Sequence, residues 1–290
     1  MSVLLHADDY GYNKEVSKDI LDCFREGTLH GISIMPNSPD FVECMEMLST
    51  EEERLGKKLS KTIHFCISEG PCLSNKEDLK LLVNERGMFK LSFFKLLMMS
   101  LGRNKKELKK ELKIELKAQL EAALPYQDAI NADSHVHYHM IPLVLKSLLE
   151  VIEESGKSIE YIRIPAEPIG PFIKHKELWN SFGIVNIVKN VVLNFLRVCD
   201  ARMLRKYKEK TAIFFGIVMS GHMDIDRVRI LLPDFIKIAE KKKMDLEVLA
   251  HPGMATGIET VLDPLNDEYA RAPLSKDRHV EKNMFMEITI

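Results

Sequence analysis

The stretch Val3-Leu4-Leu5-His6-Ala7-Asp8-Asp9-Tyr10-Gly11 decides how this chain is read. A short apolar run, predicted as a strand over 2–7, leads into two adjacent carboxylates. Such a pair repels itself and gains little from packing, and the end of a strand has no need of it. One of the two could cap the helix that follows, but capping does not account for both. A cationic group is therefore expected beside Asp8 and Asp9.

The same arrangement recurs outward along the chain. Further strands are predicted at 30–35, 61–66, 129–133, 159–164, 211–218 and 245–250, with amphipathic stretches between them. Val16, Ile20, Leu21 and Phe24 recur at helical spacing behind Asn13, a candidate N-cap. Leu108, Leu112, Leu116 and Leu120 repeat every four residues in a Lys/Glu-rich segment, which predicts a helix with one buried stripe. Pro142 suits the first helical position ahead of Leu143, Leu145, Leu148, Leu149 and Ile152. Within 176–207, Ile184, Val188, Val191 and Phe195 fall on one side of a helix. Alternation of this kind predicts an α/β fold with parallel strands, and seven units favour a distorted (β/α) barrel, TIM-like, over an open sheet. No repeat or Pro/Gly/Ser linker divides the chain, so one domain over 1–290 is expected. The segment 70–103, with Phe89, Phe93, Phe94, Met98 and Met99, is too long for a tight connection. It is expected to cover the site or to meet a second copy in a homodimer, with 88–101 as the contact surface.

Polar residues gather where the predicted strands end. Asp8 and Asp9 follow the first, His64 lies in the third, Asp133 and His135 follow the fourth, Arg163 closes the fifth, and His251 follows the last. In parallel barrels functional groups collect at the C-terminal strand ends, so these segments are expected to share one mouth. Each also has a structural reading. His64 could be a core histidine, Asp133-Ser134-His135 an Asx turn, Arg163 a partner of Glu167, and His251-Pro252-Gly253 only a turn. Taken together at strand ends, they favour function. An Asp/His/His set supplies three ligands and leaves coordination positions open, as catalytic metal sites require. Neutral imidazole suits zinc and other transition metals, while a carboxylate also accepts harder ions.

Composition limits the alternatives. The chain has 290 residues, 46% of them hydrophobic, with a formal net charge of −2. It can build a sizeable core and carries no basic stripe of the kind nucleic-acid binding needs. Cys23, Cys44, Cys66, Cys72 and Cys199 are scattered and form no CxxC pair, which fits a reduced, cytoplasmic protein. No basic region followed by a long apolar stretch opens the chain, so no signal peptide is expected. No membrane span is expected either, since the longest apolar candidate, Phe182 to Val198, is broken by Asn186, Lys189, Asn190, Asn194 and Arg197.

The motifs, in order, resemble those of the YdjC-like carbohydrate deacetylases almost from end to end. Ala7-Asp8-Asp9-Tyr10-Gly11 resembles that family's ADDFG, and Gly27 to Asn37, with Ile32-Ser33-Ile34-Met35-Pro36-Asn37, its G-x-x-T-S-x-S-x-M-x-N stretch. His64-Phe65-Cys66-Ile67-Ser68-Glu69-Gly70 resembles H-x-x-L-T-x-G, and Asp133 to Pro142 resembles D-S-H-x-H-x-H-M-x-P. Arg163-Ile164-Pro165-Ala166-Glu167 and His251-Pro252-Gly253 complete the series. Tyr10 stands for Phe, Ser68 for Thr and His6 for a common Asn, departures that bear on substrate preference.

The resemblance implies a metal-dependent hydrolase that removes N-acetyl groups from amino sugars, most of all N-acetylglucosamine-containing oligosaccharides. It implies one divalent ion, Mg2+ or Zn2+, held by Asp9, His64 and His135, with Asp8 as general base and His251 as acid. Arg163, His137, His139 and Glu167 are expected to contact sugar or to orient the ligands. Two rivals stand beside this reading: another metal-dependent hydrolase such as a phosphoesterase, and a non-catalytic sugar-binding barrel. A phosphoesterase would ordinarily bring more ligands, for a two-metal clamp, and more strand-end cations than Arg163.

Overall fold

Seven strands form one sheet: β1 (Val3–Tyr10), β2 (Gly31–Ile34), β3 (Ser60–Phe65), β4 (Ile130–Ser134), β5 (Ile159–Ile162), β6 (Ile213–Phe215) and β7 (Leu246–Ala250). In this computed structural model, which describes residues 1–266 and 269–289, every strand pairing is parallel and the spatial order is β5-β4-β3-β2-β1-β7-β6. All seven predicted strands are present. The largest revisions are β1, which continues through both aspartates to Tyr10, and β6, which is confined to three residues of the predicted 211–218.

Among the described residues ten α-helices connect or follow the strands: α1 (Lys14–Glu26), α2 (Phe41–Leu55), α3 (Phe93–Leu101), α4 (Lys105–Ala123), α5 (Pro142–Glu154), α6 (Gly170–Lys174), α7 (Ile184–Cys199), α8 (Ala201–Leu204), α9 (Ile225–Lys242) and α10 (Asp277–Glu287). Asn13 caps α1 as expected, its side chain accepting from the Val16 N–H. Pro142 opens α5, where its missing N–H costs nothing. The four-residue leucine ladder of α4 is wholly buried. Three of its other buried positions, Glu111, Glu115 and Gln119, are polar. Glu111 accepts from the N–H groups of Leu81 and Leu82, and Glu115 from those of Leu73 and Ser74. These two carboxylates fasten the 70–103 excursion to the barrel by satisfying backbone donors that no strand pairs.

The sheet curls. β5 lies at one edge and β7 next to the other, with four strands between them, yet Tyr161 and Arg163 from the β5 segment both hydrogen-bond to Glu247 of β7. At the seam the Ile162 N–H donates to the Lys210 carbonyl at 2.8 Å, just ahead of β6. The result is a curled, barrel-like α/β sheet whose strand C-termini point to one end. The interior of that end is polar, and it holds the residues considered next.

Candidate metal centre

The aspartate pair sits on an irregular piece of strand. The register between β1 and β2 shifts between Ala7 and Tyr10, and Asp9 has φ 71°. A bulge with a non-glycine residue in the left-handed region costs energy and re-aims a side chain. Adjacent strand residues ordinarily point to opposite faces. Here the bulge turns both carboxylates into the barrel mouth, where Asp8 and Asp9 are buried.

A second strained turn delivers the imidazoles. After β4, Val136 and His137 have φ 50° and 61°, an uncommon conformation for a β-branched residue and for its neighbour. Ser134 closes this turn. Its Oγ accepts from the His139 N–H at 2.8 Å and lies 2.7 Å from His139 Nδ1, while His139 Nε2 donates to the Arg163 carbonyl. His139 is thus spent on holding the loop, and burial lowers it to about 4, keeping it neutral.

Asp9, His64 and His135 come together. Asp9 Oδ1 lies 3.0 Å from His135 Nδ1 and 3.6 Å from His64 Nε2, and the two ring nitrogens are 3.3 Å apart. The far nitrogen of each ring donates to a carboxylate: His64 Nδ1 to Asp133 at 2.7 Å and His135 Nε2 to Glu69 at 2.8 Å. A ring proton fixed on the far side leaves the near nitrogen of the neutral ring with its lone pair facing the common point. Asp9 Oδ1 is buried there and makes no hydrogen bond. An orphaned carboxylate oxygen facing two carboxylate-backed imidazoles is a donor set that fits one divalent cation.

Electrostatics agree. Burial disfavours charge on both rings, yet the surrounding carboxylates overcome it. Asp133 and Asp8 raise His64 to about 10, and Asp9 and Glu69 do the same for His135. Burial likewise opposes ionisation of Asp9, but His135, His64 and Arg278 hold its carboxyl well below the ordinary range; Arg278 donates to Asp9 Oδ2 at 3.1 Å. This much negative charge calls for a positive one at the shared point. Protons on two nitrogens 3.3 Å apart would repel each other, whereas one cation serves both.

A second group, His6, Asp8 and Asp133, lies alongside and also brings three donor atoms together. The chain neutralises this one itself. The wholly buried Arg163 binds Asp8 bidentately at 2.8 and 2.9 Å, reaches Asp133 at 2.5 Å, and donates to Glu247 through Nε and Nη2. Burial works against the Asp8 carboxylate, but Arg163 and His64 bring it down to about 2. Ser33 donates to Asp133 at 2.6 Å and lies 2.9 Å from His6 Nε2. Arg163 therefore pairs with Asp8, Asp133 and Glu247 and not with Glu167.

The remaining predicted residues fall around this centre. His137 is buried against Phe214, its Nδ1 has no hydrogen-bond partner, and burial holds it far below the usual imidazole range. Glu167 stands outside the cluster; its carboxylate accepts from the N–H groups of Gly216, Ile217 and Val218 and so shapes the exit from β6. His251 is half-buried beyond β7. Its backbone N–H donates to Glu281, and its Nδ1 lies 3.5 Å from the same carboxylate. The turn can sit there because Gly253 packs on α1, where a Cβ would come within 2.7 Å of the Val16 carbonyl oxygen.

Five site residues were given no role by the sequence reading: Glu69, Glu247, Glu281, Arg278 and Ser33. Two carried a signal. Glu247 is a carboxylate inside the apolar run Leu246–Ala250, and Glu69 is the one charge in His64–Gly70 besides the imidazole. Arg278 is on α10, far from any motif.

Comparison with known proteins bears on this geometry. The chain matches the family described as YdjC-like protein over residues 2–288. A carbohydrate deacetylase of Thermoanaerobacter pseudethanolicus is 35% identical over 31% of this chain and 34% of its own length. Those of Danio rerio and Geobacillus stearothermophilus are 27% and 28% identical over 58% and 60% of this chain and over 51% and 62% of their own lengths. These matches thus span between a third and two thirds of the relatives. A solved Enterococcus faecalis structure, described as a candidate cellobiose-phosphate cleavage protein, superimposes over 98% of this chain and 90% of its own with a TM-score of 0.59. At 15% identity that likeness speaks for the fold alone. With the motifs, the curled parallel sheet and a match across nearly its whole length, the chain belongs to the YdjC-like family.

Proposed function

We propose that the protein is a carbohydrate deacetylase, a metal-dependent hydrolase that removes N-acetyl groups from amino sugars, with N-acetylglucosamine-containing oligosaccharides as substrates. The observation that carries this reading is the meeting of Asp9 Oδ1, His64 Nε2 and His135 Nδ1 at one point, with Asp133 and Glu69 behind the rings. Those three residues would hold the ion, Mg2+ or Zn2+. When bound, it would supply Lewis-acid polarisation of the acetyl oxygen and acidify a water, which a base as weak as Asp8 requires of its proton donor.

The chain's own groups divide the remaining work. Asp8, kept ionised and fixed by the two-pronged Arg163 bridge, takes the proton of the attacking water. Arg163 makes its hydrogen bonds to carboxylates and Ser33, so it positions Asp8 and does not bind sugar. His251 carries a proton to the leaving amine, with Glu281 beside it to orient the ring. His137, whose Nδ1 is unpaired, is the sugar contact, while His139 and Glu167 act through the loops they hold. One domain over 1–290 in a reducing, cytoplasmic setting belongs to the same reading, which the five unpaired cysteines support.

The two-metal phosphoesterase alternative loses ground because the second donor group is already filled by a guanidinium. The test is a panel of N-acetylated mono- and oligosaccharides beside a panel of sugar phosphates, with acetate release from the first and phosphate release from the second followed with and without chelator. Acetate release that chelator abolishes is expected. Release of phosphate instead, or acetate release indifferent to chelator, would refute the reading.

A further inference from the structure

Helices α3 and α7 pack on the same small apolar cluster beside the barrel mouth. Their inward residues, Phe93 and Leu97 of α3 and Leu193 and Leu196 of α7, pack into one small apolar cluster with Met140, Phe214 and Leu249 at the strand ends. Their outward residues are apolar as well. Phe94, Met98 and Leu101 stand out from α3, and Ile184, Val185, Val188, Val191, Phe195 and Val198 from α7; Met98 is 68% exposed, Phe195 66% and Ile184 79%. The stripe that the sequence pattern places on one side of the α7 helix is thus turned to the outside, and the buried positions of α7 are Asn190, Leu193 and Leu196. Nine such side chains expose roughly 1,000 Å2 of apolar surface, well above the few hundred Å2 of a typical largest patch on a monomer.

Charge identifies the occupant. Residues 90–106 and 184–199 contain no carboxylate. They do carry Lys95, Arg103, Lys105 and Lys106 around α3 and Arg197 on α7, all exposed and none in a salt bridge among the described residues, while Lys189 is largely buried, close enough to act on His137, and is not part of this set. A symmetric pairing with a second copy would set these cations against one another with no acid to answer them. An anionic lipid surface answers both features, since the apolar side chains enter the acyl boundary while the cations stay at the headgroups. Among the described residues no helix is long and apolar enough to cross a membrane, and the proposed contact is one of lying on the surface. We infer that the α3–α7 face docks the protein on an anionic membrane, with the barrel mouth beside the bilayer.

The inference stands apart from the catalytic reading and is tested without activity. The full chain is mixed with vesicles of phosphatidylcholine alone or of phosphatidylcholine with phosphatidylglycerol, and bound protein is separated by flotation. Binding to the mixed vesicles, weakened by salt, is expected. Met98→Asp with Phe195→Asp should weaken it by about tenfold or more with an unchanged melting temperature, because both sites are exposed. Lys105→Glu with Lys106→Glu should remove the preference for anionic lipid. Failure to bind either vesicle, or full binding by the aspartate variant, overturns the inference. So does sedimentation showing a lipid-indifferent dimer that the same aspartates disperse, which would assign the face to a second copy.

Discussion

Two clusters of carboxylates and imidazoles lie side by side in the barrel mouth, and the chain treats them differently. Around Asp8, Asp133 and Glu247 it inserts its own cation, Arg163, and uses nearly every lone pair. Around Asp9, His64 and His135 it orients the rings from behind and leaves Asp9 Oδ1 facing the common point without a hydrogen bond. The first arrangement builds rigidity: a buried ionic network whose every member depends on the others. The second builds a donor set, one carboxylate oxygen and two imidazole nitrogens, whose chemistry fits a divalent ion. Asp133 belongs to both, since it receives Arg163 on one side and His64 on the other.

The comparison breaks most visibly if Arg163 is removed. Arg163→Met strands three buried carboxylates, and a stability loss of about 3–5 kcal/mol is expected in urea denaturation. An unchanged midpoint would show that the first cluster does not need its guanidinium. Next in size is Asp8→Asn, which should lower acetate release by about 10²- to 10⁴-fold while elemental analysis still finds the metal. Equal turnover would remove the base assignment, and lost metal would move Asp8 into the second cluster. His135→Ala should abolish stoichiometric metal. The milder Glu69→Gln, which only releases the back of that ring, should weaken metal affinity by about 10- to 100-fold in a competition titration. If Glu69→Gln changed nothing, the orientation of His135 would be set elsewhere.

The smallest effect concerns a carboxylate outside both clusters. Burial raises Glu167 to about 7 even though three backbone amides favour its charged form. The native state therefore holds this proton more tightly than the unfolded chain. The stability it contributes is full below the ordinary carboxyl value of 4.5 and is lost as pH rises through about 7. Glu167→Gln should flatten the urea midpoint across that window, and an unchanged slope would show that the carboxylate stays ionised on its amides.

The seven strands were legible because a parallel strand buried on both faces must be an apolar run, and polar residues at its end stand out. Asp9, His64 and His135 could be singled out for the same reason, and their pairing as ligands came from the resemblance to the family. Glu247 and Arg163 were individually visible but not as partners. They lie 84 residues apart on strands separated by four others, and only the curl of the sheet closes the gap. Arg163 beside Glu167 invited a local bridge, which the structure replaces with a long-range one. Arg278 could not be found at all, since an arginine on a C-terminal helix has no neighbour in sequence that marks it.

By itself, then, the sequence determined the order of strands and helices and which chemical groups stand at the strand ends, because those follow from local periodicity and hydrophobic burial. Which carboxylate meets which cation, and which side of α7 faces outward, was decided only by tertiary structure. Those outcomes depend on sheet curvature, on the bulge at Asp8 and Asp9 and on distant side chains competing for the same buried charge, none of which is a property of neighbouring residues.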